Sequence, residues 1–110
     1  MPIDPNSSWR ADLVWAGGGV KQFDSPRCAL KAWRTRDLSA TAMRVLDYYD
    51  GRWTDAGDVG FVAGSDVLGP MGPDLVPVDA RRAHKFAQDH AAGRPLPVDA
   101  ITAEVLSQLR

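Results

Sequence analysis

The chain has 110 residues, 45% of them hydrophobic and 25% charged, with a net charge of −1. That length and balance suit one globular domain with a core of its own. They exclude a basic nucleic-acid or polybasic membrane binder, and the single cysteine excludes an internal disulfide.

Trp9 to Trp15 alternates with period two over part of its length and reads as a strand. Ala16 to Gly19 form a turn, and Val20 to Phe23 return as the second strand of a hairpin. Ser25 suits the N-cap of a following helix and Pro26 its first position. Cys28, Ala29, Ala32 and Trp33 recur at helical spacing up to about Arg36. Ser39 to Thr41 connect to a strand over Met43 to Tyr49. Asp50-Gly51 is a hairpin turn signal, and Arg52 to Thr54 form the short partner.

Gly60 to Ala63 reads as a strand. Residues 64–73, rich in Gly and Pro, read as a loop. Leu75 to Val78 is a strand marked as an edge by Pro77. Asp79 is expected to cap a second helix running to about Ala92, stopped by Gly93 and Pro95. Leu96 to Val98 is a last short strand, and Asp99 is expected to cap a C-terminal helix over Ala100 to Leu109.

The fold class is therefore α+β. Two β-β-α units are expected, at about residues 9–36 and 58–92, with short, mostly antiparallel sheets packed on helices and a C-terminal helix after them. The strand–acid–helix junction recurs at Asp24, Asp79 and Asp99, which are read as structural residues rather than ligands.

Four residues are candidates for metal chemistry. Cys28 falls near the third position of its helix, where the helix dipole and the adjacent Arg27 are expected to favour the thiolate; a buried, inert cysteine is the plain alternative. Met71 sits in Gly69-Pro-Met-Gly-Pro73, where a thioether suits Cu(I) beside a thiolate or simply fills a gap in the core. His90 lies near the end of the second helix on its core side, where it can cap carbonyls. His84, six residues earlier, cannot share an ion with it from one helix face. Met1 takes meaning only from the resemblance below. No catalytic signature is present: no nucleophile elbow, P-loop, Cys-x-x-Cys or His-Glu-x-x-His.

The order Met-Pro-Ile, Trp-x-Ala, a glycine hairpin, Phe-Asp-x-x-x-Cys, Asp-Tyr-Tyr, Trp-Thr-Asp-Ala, Phe-Val-Ala-Gly-Ser, Pro-Met-Gly and Phe-Ala-x-x-His-Ala-Ala-Gly resembles the NosL family over about residues 1–101. The resemblance implies a copper(I)-binding accessory protein, not an enzyme, that carries Cu(I) as transient cargo. It implies Cys28, Met71, Met1 and His90 as metal ligands. Members often carry Cys-Gly directly before Met-Pro-Ile, so Met1 is expected to be that motif's methionine. The implied partners are a copper-receiving enzyme such as nitrous oxide reductase and a copper transporter. The implied location is the periplasm or cell envelope. The chain itself shows no signal peptide and no membrane-spanning stretch, and it would be cytoplasmic if complete. Two other readings stand beside this one: a non-metal interaction domain of the same fold, and a lyase-like enzyme using Cys28 as nucleophile, suggested by fold analogy alone.

Overall fold

The computed structural model describes residues 3–35, 39–70 and 72–109. Strands β1 (Ala11–Val14) and β2 (Val20–Phe23) form the expected hairpin, with Ala11 opposite Phe23 and Val14 opposite Val20. Its turn is closed by the Trp15 N–H on the Gly19 carbonyl (2.8 Å), and Gly18 takes φ 91°, a conformation a side chain would penalise. β3 (Ala42–Leu46) pairs with the other edge of β1, and β4 (Trp53–Asp55) pairs with β3. The resulting sheet is antiparallel with order β2-β1-β3-β4.

The expected strand over Met43 to Tyr49 stops at Leu46, because Asp47 turns the chain. Its carboxylate accepts the N–H groups of Tyr49 and Asp50, each at 3.0 Å, and its carbonyl accepts the Gly51 N–H. An acid that offers local backbone donors an acceptor competes with the ladder and ends it. The partner strand consequently runs one residue later than Arg52 to Thr54.

Helix α1 (Pro26–Thr35) starts where expected. The Ser25 hydroxyl accepts the Cys28 N–H at 3.2 Å, and the Ser25 carbonyl accepts the Ala29 N–H. Arg36, the helix's expected last residue, lies outside the described residues. Pro26, Ala29, Leu30 and Ala32 are buried, while Cys28 and Trp33 are half-buried.

β5 (Val59–Val62) and β8 (Val76–Asp79) form a separate antiparallel pair with Phe61 opposite Pro77. β5 lies between two apolar clusters. Val59 and Phe61 join the first, with Leu13, Leu30, Met43, Leu75, Ile101 and Leu106 among others. Val62 joins the second, with Val76, Val78, Ala83, Phe86 and Ala87. This is the period-two alternation of a strand covered on both faces. Gly60 permits it: a Cβ there would lie 2.9 Å from the Ala83 Cβ and 3.0 Å from the Pro95 Cβ. The segment 64–73, read as a loop, contains two short paired strands instead, β6 (Leu68–Gly69) and β7 (Gly72–Pro73), with Gly69 opposite Gly72. The glycines that suggested a loop serve a tight reversal within a ladder, with Gly72 at φ 107°.

Helix α2 (Ala83–Asp89) is shorter than expected at both ends. Asp79 is not its cap. That carboxylate accepts the Arg81 N–H at 2.9 Å and closes a turn ahead of the helix, and Arg82 takes the N-cap position without a side-chain bond. The helix ends before Gly93: the Ala92 N–H reaches the Ala87 carbonyl at 2.8 Å and the Ala91 N–H the Gln88 carbonyl, with Ala91 at φ 54°. This is a Schellman ending carried by alanine. Leu96 makes only a two-way bridge with Phe61, not a strand. Val98–Ala100 is one 3-10 turn, so Asp99 does not cap a helix. The completely buried Ile101 is extended, which delays α3 to Ala103–Ser107. Its cap is Thr102, whose hydroxyl accepts the Val105 N–H at 3.2 Å.

The β3 end of the four-stranded sheet and the β8–α2 side meet at Asp47, which is 4% exposed. One carboxylate oxygen accepts the Asp79 N–H, and the other also receives the Arg82 guanidinium at 3.3 Å. Beside it the Tyr48 N–H donates to the Pro77 carbonyl at 2.9 Å. Asp47→Ala leaves these donors without their acceptor, and the expected loss is about 3 kcal/mol of unfolding free energy. Asp47→Asn, which keeps an acceptor, should lose less. Urea denaturation of the three proteins checks this; equal midpoints for wild type and Asp47→Ala would contradict it.

Candidate metal centre

Cys28 sits at the third position of α1, on the wall of a cleft of about 290 Å³ lined also by Ser25, Arg27, Lys31, Pro73 and Asp74. The opposite wall comes from β7 and the residue after it. The cleft is therefore built by two segments far apart in the chain.

Two hydrogen bonds fasten those segments, and a third ties α1 to the C-terminal region. The Arg27 N–H donates to Asp74 Oδ1 at 2.9 Å, across 47 positions of sequence. The Arg27 guanidinium donates to the carbonyls of Pro73 (3.0 Å) and Leu109 (3.3 Å). Asp74 Oδ1 also accepts the Leu75 N–H at 2.8 Å. The Arg27 N–H belongs to the first turn of α1, where no intrahelical acceptor exists, so Asp74 supplies what the helix end lacks. Gly69 leaves room for that carboxylate: a Cβ there would come within 3.0 Å of Asp74 Oδ2.

The electrostatics differ from the sequence expectation. The thiol of Cys28 is pushed above its ordinary value, chiefly by burial, with the Asp24 and Asp74 carboxylates adding to the effect and the Ser25 side chain opposing it. Arg27 is not among the groups that shift the thiol; its guanidinium is occupied by the carbonyls of Pro73 and Leu109. Burial also pushes the Asp74 carboxyl up, against the opposing effects of Ser25, the Leu75 and Arg27 N–H groups and the Arg27 charge. At neutral pH Cys28 is therefore a protonated thiol, which a metal must deprotonate on binding.

Of the other expected ligands, Met1 and Met71 lie outside the described residues. Pro73, two positions after Met71, lines the Cys28 cleft. His90 is the C-cap of α2, with its ring stacked on Phe86 at 4.3 Å and its Nδ1 2.6 Å from Asp66 Oδ1. Neither Phe86 nor Asp66 lines the Cys28 cleft, so the structure does not bring His90 and Cys28 into one environment. His84 is exposed. Among the described residues no group of three or more His, Cys, Asp or Glu side chains converges as a metal cage. Asp74, the acid most involved in the cleft, was not singled out from the sequence. It is one aspartate between a proline and an apolar strand, and its partner Arg27 is remote in the chain.

The family model described as NosL matches residues 1–106. Among solved structures, the crystal structure of the copper chaperone NosL from Shewanella denitrificans superposes with a TM-score of 0.76. It is 19% identical, and the alignment covers 94% of this chain and 96% of that one. At that identity the likeness shows the fold. Curated proteins give no match.

The raised thiol pKa has a direct consequence. Iodoacetamide reacts with thiolate, so the pH midpoint of Cys28 alkylation should lie higher in the native protein than in the same chain in urea. Asp24→Asn removes one of the charges that hold the proton on, and should lower the native midpoint. A native midpoint below that of the unfolded chain would contradict the assignment.

Proposed function

The chain belongs to the NosL family, and on that premise we propose that it is a copper(I)-binding accessory protein, not an enzyme, which hands its cargo to a copper-receiving partner. The observation that carries the reading is the position of Cys28: the only thiol in the chain lines a cleft shared with Pro73, the residue that follows Pro70-Met-Gly72 in sequence. We take residues 1–110 as one NosL-like domain, in keeping with the family match over nearly all of it.

The donor chemistry fits that cargo. A thiolate is a soft anionic donor and a thioether a soft neutral one, and the pair prefers Cu(I) to hard cations. Cys28 is the proposed anchor, Met71 the proposed second ligand, and Met1 a third from the amino-terminal segment. His90 keeps Nε2 for a ligand while its Nδ1 meets Asp66, but it does not line the Cys28 cleft. The absence of a convergent His and carboxylate cage among the described residues disfavours a resident zinc ion. A site with few donors leaves positions open for a partner's ligands, which is what transfer requires. The lyase-like reading rests on fold analogy alone. The partner is proposed to be an enzyme of the nitrous oxide reductase kind, and a copper transporter the source of the metal. The proposed setting is the periplasm or cell envelope. Among the described residues no helix is long and apolar enough to cross a membrane.

Competition titration against a Cu(I) chelator under anaerobic reducing conditions tests this. The wild type should bind Cu(I) more tightly than Zn(II), and Cys28→Ser should lose roughly a hundredfold in Cu(I) affinity, because a neutral hard donor replaces an anionic soft one. Binding releases the thiol proton, so apparent affinity should rise with pH until the raised pKa of Cys28 is passed. Equal Cu(I) affinity in the two proteins would remove Cys28 from the site.

A further inference from the structure

We infer that the aromatic surface around Tyr48 and Trp53 docks a protein partner, which seats one apolar side chain in a pocket beside Tyr48 and sets an aspartate or glutamate carboxylate on Arg10. The pocket shares no lining residue with the Cys28 cleft, and the inference does not rest on the copper site.

The surface can be followed from residue to residue. A pocket of about 110 Å³ is lined by Trp9, Leu46, Tyr48, Val67 and Pro77 among others. Leu46 stands opposite Trp53 in the β3–β4 ladder, so the two side chains share one face of the sheet. Tyr48 meets the Tyr49 ring edge to face at 5.2 Å. Tyr48, Tyr49 and Trp53 are each at least 40% exposed, and Leu68, next to Val67, is more exposed still. Among the described residues these are four of the five large apolar side chains left exposed. The fifth, Val20, lies on the opposite edge strand of the sheet. Exposed apolar side chains gathered in one place, and not scattered singly, mark an interaction site.

Arg10 supplies the charge. Its Nε donates to the Ser7 carbonyl at 2.8 Å, and its guanidinium lies over the Trp53 ring, 5.5 Å from the centre. Those two contacts hold the planar group in place. Among the described residues nothing accepts from its Nη groups, and no carboxylate pairs with it. An arginine fixed by its Nε and its face, with the outer N–H groups open, is prepared for a carboxylate.

These features select the occupant. The pocket is well below the ~300–1,000 Å³ of small-molecule sites, so it suits one side chain of a larger partner. Tyrosine, tryptophan and arginine around a recess, with no lysine among them, is the composition of a protein-binding hot spot. A net charge of −1 gives no pull toward nucleic acid or an anionic membrane. A second copy of this chain would have to bring a carboxylate of its own, and the acids of this surface, Asp47 and Asp50, are engaged by Arg82, which covers Tyr49 at 4.7 Å.

The probe is a capped pentapeptide, acetyl-Gly-Leu-Asp-Gly-Gly-amide, titrated into the full chain while the four tryptophan indole N–H signals are followed by NMR. Trp9 and Trp53 should shift. Trp15 and Trp33, which pack against the first core cluster, should not. Changing Asp to Asn, or Leu to Gly, in the peptide should weaken binding about tenfold, since each removes one of the two contacts. These changes lie in the probe, so they require no variant to fold. Arg10→Gln should bring the affinity for the Asp peptide down to that for the Asn peptide. Val67→Phe fills the pocket and should abolish the preference for Leu over Gly.

Unmoved Trp9 and Trp53 signals, or equal affinities for the Asp and Asn peptides, would overturn the inference. So would a dimer in sedimentation that Arg10→Gln dissolves, which would make the occupant a second copy. Phosphatidylglycerol vesicles or oligothymidylate moving the same two signals as strongly as the peptide would assign the surface to a membrane or to nucleic acid instead.

Discussion

A single buried carboxylate oxygen, Asp74 Oδ1, joins the two parts of the chain that make the cleft. Without it the first turn of α1 has an N–H with no partner, and the segment before β8 has no fixed distance from that turn. Arg27 adds to the same joint, its guanidinium holding the Pro73 carbonyl, and reaches the Leu109 carbonyl as well. Through Leu109 the joint extends to the residues after α3, and Arg34 adds to that attachment by donating to the carbonyls of Ile101 and Val98. Two arginines of one helix thus satisfy the carbonyls of Ile101 and Leu109 and share that of Val98 with the Ile101 N–H. Buried backbone groups require such partners, and here side chains of α1 provide them.

The same joint shapes the chemistry of the thiol. Bringing Asp74 close enough to hold Arg27 also brings a carboxylate close to Cys28, and Asp24 adds a second. Both work with burial to keep the thiol protonated. A metal that binds at Cys28 must displace that proton. The charge of Arg27, next to Cys28 in sequence, is engaged by the Pro73 and Leu109 carbonyls.

Much of the fold was legible because local rules and tertiary structure agree. Ser25-Pro26 began α1 as a cap and first helical residue should, and the hairpin of β1 and β2 followed from its glycines. The failures have physical causes. Asp79 and Asp99 look like caps by position, but a turn and the buried Ile101 put the real helix starts at Arg82 and Thr102. The run to Tyr49 looked like one strand, but the Asp47 side chain bonds its own backbone and ends it. Of the site, the place of Cys28 at the third helical position could be read from sequence. Its protonation could not, because burial and the approach of Asp74 are set by contacts between residues far apart in the chain. Asp74 has no local signature for the same reason.

X-ray absorption at the copper edge addresses the central claim most directly, because it reads the atoms around the metal and not merely the tightness of binding. The wild-type chain loaded with one equivalent of Cu(I) should give an edge typical of Cu(I) and a short copper–sulfur shell at about 2.3 Å, the distance of metal–thiolate bonds generally. In Cys28→Ser loaded in the same way that shell should lose its thiolate component. A wild-type spectrum dominated by nitrogen and oxygen neighbours, or one that Cys28→Ser leaves unchanged, would contradict the claim that Cys28 holds the copper.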